Sequence, residues 1–383
     1  MKTLNAAPLL TLSLTLALSG ISSRAMAWGE RGHDAVTRVA TRILADSKDP
    51  ETAKFGAFLQ KRENMLGHLS NVPDIVWKSV SPELDKLSSP SHFVDLDFIL
   101  KNDKLPTAVE LPVDVNAFVK ALDKNCGKKS KDYPCVGAKT VDEQLLKAGH
   151  GPFRVQTLSE DLRDAFKSLK AMDKVQKDSP EFPKKEEAVQ RILLLSGILS
   201  HFVGDLANPH HTSADYDGWQ TEQGGLHAYF ETDILDSLGL DLEATVLDEA
   251  ERHQPMQKLF EKHPHNYLEQ AWELVLDSHA KIPELTALDR DNSLLQKSTE
   301  DKEKGPDGRS KRERAKRKEP TETRNAFRNL VILRLAAGSD ALARIWLDAW
   351  QEAGKPDLSF YRNYHYDVKP DFIPMRYLPG AKG

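Results

Sequence analysis

The chain has 383 residues, with 53 Lys and Arg against 58 Asp and Glu and a formal net charge of −5. This length allows one large domain or two small ones. The mild acidity argues against a general nucleic-acid coat protein, but it does not exclude an enzyme that meets phosphates through metal ions.

Residues 1–27 have the features of a secretory signal. Lys2 supplies a positive start, an apolar core follows, and the tripeptide AMA before Trp28 is a small-x-small cleavage site. The apolar core is too short and wrongly flanked for a membrane span, and no later segment qualifies. We therefore expect a soluble mature chain of residues 28–383 that is secreted or periplasmic and begins at Trp28.

Helical periodicity dominates the mature chain. The apolar residues recur at helical spacing in four segments: His33 to Leu44, Phe153 to Leu169, Glu187 to Leu206 and Asn325 to Trp350. Pro209 stops the third helix, and Gly338 is a possible break in the fourth. Val113 to Val119 is a candidate extended segment, but nothing builds a sheet. We predict an all-α fold, a single multi-helix domain with polar loop insertions.

Two polar insertions interrupt this pattern, residues 99–149 and 290–323. The first contains Cys126 and Cys135, whose spacing suits a small-loop disulfide in an oxidising compartment; a two-cysteine zinc site is the weaker alternative because CxxC spacing is absent. The second contains KEKGPDGRSKRERAKRKEP and little apolar content, which predicts a disordered loop. Its alternative is a basic arm for nucleic acid or anionic lipid.

The motif LSHFVGDLANPHH, residues 199–211, is the strongest chemical signal. His201 and Asp205 stand four residues apart on the predicted helix, so both project from one face. Polar groups on such an apolar helix need partners, and a metal ion satisfies both. Pro209 ends the helix, and the turn brings His210 or His211 back toward the same point. A hydrogen-bonded structural cluster is the alternative.

Three further motifs carry similar residues. GGLHAYFE repeats the four-residue spacing with His227 and Glu231, PSHFVDLDF places His92 among apolar neighbours, and NVPDIVW does the same for Asp74. Taken singly, each has an ordinary explanation as a polar helix stripe, a cap or a hydrogen-bonded core group.

Trp28 and His33 add a possible ligand set at the predicted new N-terminus. Cleavage before Trp28 would free its α-amine, and the amine, its carbonyl and the imidazole of His33 can together chelate a divalent metal. The simpler interpretation is that Trp28 is only the first residue after a signal.

Taken together, the candidate ligands are imidazoles and carboxylates without thiolate, a set suited to zinc in a hydrolytic site. The candidates are Trp28, His33, Asp74, His92, His201, Asp205, His211, His227 and Glu231. This supply exceeds the needs of one tetrahedral zinc and suggests two or three metals that share a carboxylate. Clustered zinc ions clamp phosphate-ester oxygens and lower the pKa of bound water to about 7, so phosphodiester hydrolysis fits.

The ordered motifs resemble a known superfamily. It unites bacterial zinc-dependent phospholipases C with the fungal and plant single-strand nucleases that also remove 3′-phosphates. The resemblance runs from WGERGH at residues 28–33 to HAYFE at 227–231 and continues loosely in LVILRLAAGSDALARIWLDAW. It implies an exported, mostly helical protein with three zinc ions in a cleft.

The resemblance also implies a role for each ligand. The first zinc would be held by Asp74, His92, His201 and Asp205, the second and more exposed zinc by His211, His227 and Glu231, and the third by Trp28 and His33 with Asp205 as a bridge. Asp74 would also orient the attacking water, which makes it the catalytic candidate. His211 is preferred to His210 because its distance from Asp205 along the chain matches the family.

The motifs do not all resemble the same branch of the superfamily. The short Trp28-to-His33 spacing and the cysteine loop resemble the nucleases, whereas HAYFE resembles the phospholipases because it ends in Glu. We expect an endonuclease on single-stranded DNA or RNA with 3′-nucleotidase activity, in which Phe93 offers a base a stacking face or is a core aromatic. A phospholipase C is the alternative, and a non-catalytic zinc-stabilised binding protein is a third possibility. No obligate protein partner is evident.

Overall fold

The computed structural model describes residues 28–100, 104–125, 140–304 and 310–379. The predicted signal at 1–27 and the predicted pair Cys126 and Cys135 lie outside these residues. The α-helices in chain order are α1 (Glu30–Ala45), α2 (Pro50–Gln60), α3 (Glu63–Val72), α4 (Lys78–Val80), α5 (Pro82–Ser88), α6 (Val115–Asn125), α7 (Val141–Ala148), α8 (Gly151–Ala171), α9 (Phe182–Ala207), α10 (Leu226–Ala228), α11 (Leu235–Ser237), α12 (Leu242–His253), α13 (Gln257–Phe260), α14 (Tyr267–His279), α15 (Ile282–Leu288) and α16 (Pro320–Glu352).

The all-α fold class is confirmed, because helices form nearly all of the regular structure in the described residues. Short π-helical and 3₁₀ segments join them: the π segments are Pro73–Trp77, Tyr229–Ile234 and Asp289–Ser293, and the 3₁₀ segments are Ser89–His92, Leu96–Phe98, Ala108–Glu110 and Pro209–Thr212. Two of the π segments carry candidate ligands, as described below.

Helix α9 is the central element. It packs against α1, α3, α8, α14 and α16. By length and composition it could cross a membrane, but 83% of its most apolar window is buried inside the protein. From Ile192 onward the helix is buried on nearly all sides, which explains why this part of its sequence is apolar almost throughout rather than along one stripe.

Helix α16 runs without a break through Gly338. A Cβ atom at this position would lie 3.0 Å from the Cβ of Ala207 and 3.4 Å from Cγ2 of Val36. The glycine therefore lets α16 lie close to α9 and α1, and it does not end the helix.

The segment Val113 to Val119 is helical rather than extended. Helix α6 begins at Val115, and the side chain of Asp114 accepts a hydrogen bond from the Ala117 amide at 2.7 Å. Val115 and Phe118 are buried at helical spacing. The N-terminal cap and the three-residue spacing outweigh the β-branched composition that suggested a strand.

Within residues 290–304 and 310–323, the structure also differs from the disorder predicted for residues 290–323. After the π segment come four strands: β1 (Leu294–Gln296), β2 (Thr299–Lys304), β3 (Ser310–Glu313) and β4 (Lys316–Arg317). Strand β1 pairs antiparallel with β4, and β2 pairs antiparallel with β3. We call the described residues 294–304 and 310–318 the basic ribbon.

A buried ion pair and main-chain hydrogen bonds explain this order. The guanidinium group of Arg317 contacts both carboxylate oxygens of Asp289 at 2.8 and 2.9 Å, and both side chains are buried. Main-chain hydrogen bonds between the paired strands satisfy the backbone polar groups, and the ion pair anchors the ribbon to the helical body. The ribbon therefore needs little apolar core of its own.

The chain beyond α16 folds back over the helices as an extended segment. Its carbonyl oxygens accept hydrogen bonds from buried side chains: Arg62 donates to Tyr361 at 3.1 Å, Trp77 to Pro370 at 2.9 Å and Arg154 to Ile373 at 2.8 Å. The buried donors replace the backbone partners that a helix or strand would provide.

Candidate metal centre

The C-terminal half of α9 delivers His201 and Asp205 to the middle of the protein, where both are fully buried. Nδ1 of His201 donates to the carbonyl oxygen of Ser70 on α3, 2.7 Å away. Since this carbonyl can only accept, the neutral imidazole keeps its proton on Nδ1 and turns the Nε2 lone pair inward. A hydrogen bond from the other ring nitrogen to a main-chain carbonyl is typical of metal-binding histidines.

Asp74 lies on the π segment that continues α3. The wider π turn is common at functional sites because it re-aims a side chain out of the regular helix. The Oδ1 atom of Asp74 lies 3.6 Å from Nδ1 of His92 and 3.7 Å from Nε2 of His201. These three residues form the first ligand group, in which all ligand atoms lie within 4.8 Å of one another.

His92 joins the first group to Asp205. It ends the 3₁₀ segment Ser89–His92, and its Nδ1 lies 2.8 Å from Nε2 of His201 and 3.0 Å from Oδ2 of Asp205. Nε2 of His201 lies 3.2 Å from the same carboxylate oxygen. Four groups predicted to share one zinc are therefore brought together.

The second ligand group consists of His211, His227 and Glu231. Nε2 of His227 lies 2.8 Å from Oε2 of Glu231 and 3.2 Å from Nε2 of His211. Glu231 is carried by the π segment Tyr229–Ile234, and Asn208 donates to its Oε2 at 3.0 Å. Nδ1 of His211 donates to the carbonyl of His92 at 2.8 Å, which ties the two groups together.

The third ligand group is His33, His201 and Asp205. Nε2 of His33 lies 3.6 Å from Oδ1 of Asp205, and its ring stacks on that of His201 with centroids 4.1 Å apart. Asp205 therefore faces the first group with one oxygen and His33 with the other, which is the position of a bridging carboxylate.

Trp28 is buried close to this third group. A Cβ atom on Gly204 would lie 3.0 Å from the His33 ring and 4.0 Å from the Trp28 ring. The amide of Gly29 donates to the main-chain carbonyl of Glu231 at 3.3 Å. The backbone around Trp28 is thus held beside the centre, whereas the free α-amine stays a prediction because residues 1–27 are not described.

Several buried ligand atoms have no hydrogen-bond partner among the described residues. They include both ring nitrogens of His33, Nε2 of His92, Oδ1 of Asp205, Nδ1 of His227 and Oε1 of Glu231. Buried polar atoms are normally paired, and leaving one unpaired costs roughly 1–3 kcal/mol. A divalent cation coordinates such atoms and offsets the cost, so these groups fit a metal ion.

Burial governs the protonation of the centre. It is the largest cause of the lowered pKa values of His33, His92 and His201, which fall well below 6.5, and it lowers the pKa of His227 to about 4. The imidazoles are therefore neutral and able to ligate at physiological pH. Burial also raises the pKa of Asp205 well above 3.8 and that of Glu231 to about 7. A cation would favour ionisation of both carboxyls.

Two further candidates from the sequence, His210 and Phe93, belong to none of the ligand groups. His210 is buried, with its ring 5.2 Å from that of His227, but His211 rather than His210 completes the second ligand group. Phe93 is half-buried, and its side chain and carbonyl pack closely against Gly149.

Sequence reasoning missed three supporting residues. Lys78, whose side chain is 15% exposed, forms an ion pair with Asp74 four residues earlier, and Asn208 and Ser70 hold ligands as described above. The four-residue spacing of Asp74 and Lys78 was a readable signal for the first. Nothing in the sequence indicated which carbonyl His201 would meet.

A fourth group of His265, Asp348 and Glu352 lies apart from the centre. Nδ1 of His265 is 2.6 Å from Oδ1 of Asp348, and the histidine side chain is 56% exposed. An exposed ion pair accounts for this arrangement without a metal.

No family model matches the chain, and neither a curated protein nor a solved structure matches it. The groups of His, Asp and Glu described above could hold metal ions, and this statement depends on their geometry rather than on a similar protein.

Proposed function

We propose that the protein is an exported zinc-dependent phosphodiesterase of the phospholipase C and single-strand nuclease superfamily, and that it acts on single-stranded DNA or RNA with 3′-nucleotidase activity. The observation that carries the proposal is the convergence of three ligand groups of imidazoles and carboxylates, two of which share His201, in one buried cluster, with an orphaned polar atom in each group. Such a set suits zinc, and three ions would use it fully.

The first zinc would be held by Asp74, His92, His201 and Asp205, the second by His211, His227 and Glu231, and the third by His33 with the amine and carbonyl of Trp28. Bound zinc supplies Lewis-acid stabilisation for the phosphate oxygens and makes water a nucleophile near neutral pH. The protein supplies orientation and a site from which bulk water is excluded.

Side chains of this protein would accept the proton of the attacking water and orient the metal ligands. We assign Asp74 to orient a water molecule and accept its proton, because it is 8% exposed, whereas Asp205 and Glu231 are fully buried. Lys78 forms an ion pair with this carboxylate and holds it in position. Asn208 fixes the Glu231 carboxylate, and Ser70 fixes the His201 ring.

The substitution Asp74→Asn tests this function. It removes the proton acceptor while it preserves the size of the side chain, so we expect hydrolysis to fall roughly 10²- to 10⁴-fold. The assay compares the zinc-loaded wild type and variant on single-stranded DNA, on RNA and on phosphatidylcholine vesicles. Circular dichroism and metal content establish that the variant folds and still binds metal.

Asp233→Asn is the matched control, because Asp233 is exposed and belongs to none of the ligand groups. We expect it to hydrolyse nucleic acid like the wild type. If the wild type hydrolyses lipid but neither DNA nor RNA, the protein is a phospholipase C and not a nuclease. Unchanged activity in Asp74→Asn would show that this residue has no role in hydrolysis. If the wild type hydrolyses no phosphodiester, the remaining interpretation is a zinc-stabilised binding protein.

A further inference from the structure

The basic ribbon concentrates positive charge in an acidic protein. Six of the eight residues 311–318 are Lys or Arg, whereas the chain as a whole has a net charge of −5. A local cationic surface on an acidic protein is an electrostatic footprint for a polyanion.

Exposed cations stand at alternate positions along residues 312–318, which we call the exposed edge of the ribbon. In an extended segment, alternate side chains share a face, and successive members of that face are about 6.7 Å apart. Alternate positions here hold cations that are all exposed: Arg312, Arg314, Lys316 and Lys318. The intervening Ala315 is half-buried, and the side chain of Arg317 is buried against Asp289. This spacing is similar to the distance between successive phosphates of an extended single strand.

The ribbon is hydrogen-bonded to the loop that precedes His227 of the second ligand group. Ala315 donates its amide to the carbonyl of Gly224 at 3.0 Å, and Ser298 donates to the carbonyl of Glu222 at 2.9 Å. His227 follows Gly224 by three residues. The root of the basic edge therefore lies beside the loop that leads into a candidate metal ligand.

Two aromatic side chains lie between the ribbon and the ligand group. The guanidinium carbon of Arg312 is 5.0 Å from the ring centroid of Trp219. Tyr216 is 50% exposed, and its ring centroid is 6.0 Å from that of His227. An exposed aromatic ring beside a cationic track is the combination by which proteins bind unpaired bases and their backbone.

We propose that the exposed edge of the basic ribbon and the ring of Tyr216 form a docking surface for single-stranded nucleic acid, which leads the strand to the second ligand group. The proposal rests on the phosphodiesterase function proposed above and names residues that the ligand groups do not include. A membrane surface would favour an apolar insertion face, whereas the described part of the ribbon has a single large exposed apolar side chain, Leu295.

The double substitution Lys316→Gln with Lys318→Gln tests the cationic edge. The matched control is Lys174→Gln with Lys177→Gln, which removes the same charge in the turn before α9. Lys185 donates to the carbonyls of Asp173 and Val175 in that turn, and helix geometry places Lys185 about 24 Å along α9 from His201. The probe is a fluorescent, hydrolysis-resistant phosphorothioate oligothymidylate, and its affinity is measured by anisotropy over a range of salt concentrations.

For the ribbon variant, we expect the slope of log affinity against log salt to become shallower by about 1.4, because each lost phosphate contact with a single strand contributes about 0.7. The control should keep the wild-type slope. Equal slopes in the ribbon variant and the wild type would overturn the proposal. Loss of binding to phosphatidylserine vesicles, with oligothymidylate binding unchanged, would also overturn it in favour of a lipid surface.

Tyr216→Ala tests the stacking ring, and Tyr216→Phe is its conservative partner. We expect the alanine variant to bind the oligonucleotide about fivefold or more weakly and the phenylalanine variant to bind like the wild type, because stacking needs the ring and not the hydroxyl. Equal binding by all three proteins would contradict the role of Tyr216.

Hydrolysis of bis(4-nitrophenyl) phosphate separates this proposal from the proposed function. That small diester is too short to reach the ribbon from the ligand groups, so the ribbon variant should hydrolyse it at the wild-type rate. If the wild type hydrolyses no phosphodiester, the proposed function fails, while the salt dependence still tests the docking surface. If hydrolysis is intact and the ribbon variant binds oligonucleotide normally, the docking proposal alone fails.

Discussion

At the residue scale, the centre is defined by how each ligand is held as much as by which ligands are present. His201 and His211 both donate Nδ1–H to main-chain carbonyls, and Glu231 accepts from Asn208. The side chains are thus oriented by the fold before any ion binds. Such pre-orientation reduces the entropy that ligands lose on metal binding.

Asn208→Ala should weaken metal binding while it leaves the fold intact. The substitution removes the hydrogen bond to Oε2 of Glu231, and loss of an outer-shell partner typically lowers metal affinity by roughly 10- to 100-fold. Competition with a chromophoric zinc chelator measures the change.

Asn266→Ala is the control for Asn208→Ala, because each asparagine also accepts a main-chain amide as a helix cap. Asn266 belongs to none of the ligand groups, so its loss should leave zinc affinity unchanged. Equal affinities in both variants and the wild type would mean that Asn208 does not tune the site.

Much of the ligand set was readable from the sequence, because four-residue spacings place His201 with Asp205 and His227 with Glu231 on common faces. The π turns that carry Asp74 and Glu231 were not readable, since a widened turn depends on tertiary packing rather than on local propensity. The four-residue spacing of Asp74 and Lys78 was readable, but the burial that makes their ion pair part of the site was not.

At the element scale, close helix crossings set the position of the centre. Gly197 lies one turn before His201 on α9, at the crossing with α3. A Cβ atom there would overlap the Cβ of Leu69 and lie 3.3 Å from the carbonyl oxygen of Leu66. The same helix α3 provides the Ser70 carbonyl that orients His201.

Gly197→Ala should therefore destabilise the protein by about 1–3 kcal/mol, the usual effect of overpacking, although alanine favours a helix by about 1 kcal/mol. It should also weaken zinc binding, because α3 must move away from α9. Urea unfolding and the chelator competition measure the two effects.

Gly338→Ala is the matched comparison, since its Cβ would meet Ala207 at 3.0 Å and needs a smaller adjustment. We expect it to be less destabilising and to leave zinc affinity closer to that of the wild type. If Gly197→Ala proves the more stable of the two, the crossing of α3 and α9 is not the constraint described here.

The long helices were predictable from their apolar periodicity, whereas two other elements were not. Val115 to Asn125 is a helix because Asp114 caps it, and the basic ribbon is ordered because Arg317 meets Asp289 within a ladder of main-chain bonds. Both causes involve single polar contacts, which composition does not reveal.

At the scale of the whole molecule, the C-terminal segment closes over the helical body. His150, at the start of α8, is buried, and its Nδ1 lies 2.9 Å from the hydroxyl of Tyr377. Burial, and after it the charge of Arg154, lowers the pKa of His150 to about 3. Protonation of this histidine is therefore coupled to opening of the segment.

The sign of this coupling follows from the pKa values. The pKa of His150 is lower in the folded protein than the 6.5 of the unfolded chain, so the unfolded chain binds more protons between the two values. The His150 contribution is fully present above about pH 6.5 and is lost as pH falls toward 3, by up to about 1.4 kcal/mol per pH unit.

His150→Asn should remove this dependence, because the amide can replace the Nδ1 hydrogen bond but does not titrate. We expect the wild type to lose free energy of unfolding relative to this variant as pH falls below about 6.5. His253→Asn is the control, since its side chain is 63% exposed. Parallel pH profiles for the wild type and His150→Asn would contradict the assignment.

The most direct measurement of the central claim is native mass spectrometry of the protein isolated from the exporting cell. One mass gives both the N-terminus and the number of bound metals. The account predicts a chain that begins at Trp28 and carries three zinc ions. A folded chain that retains no divalent metal after equilibration with zinc would contradict it, because the buried ligand atoms of His33, Asp205 and Glu231 would then need another explanation.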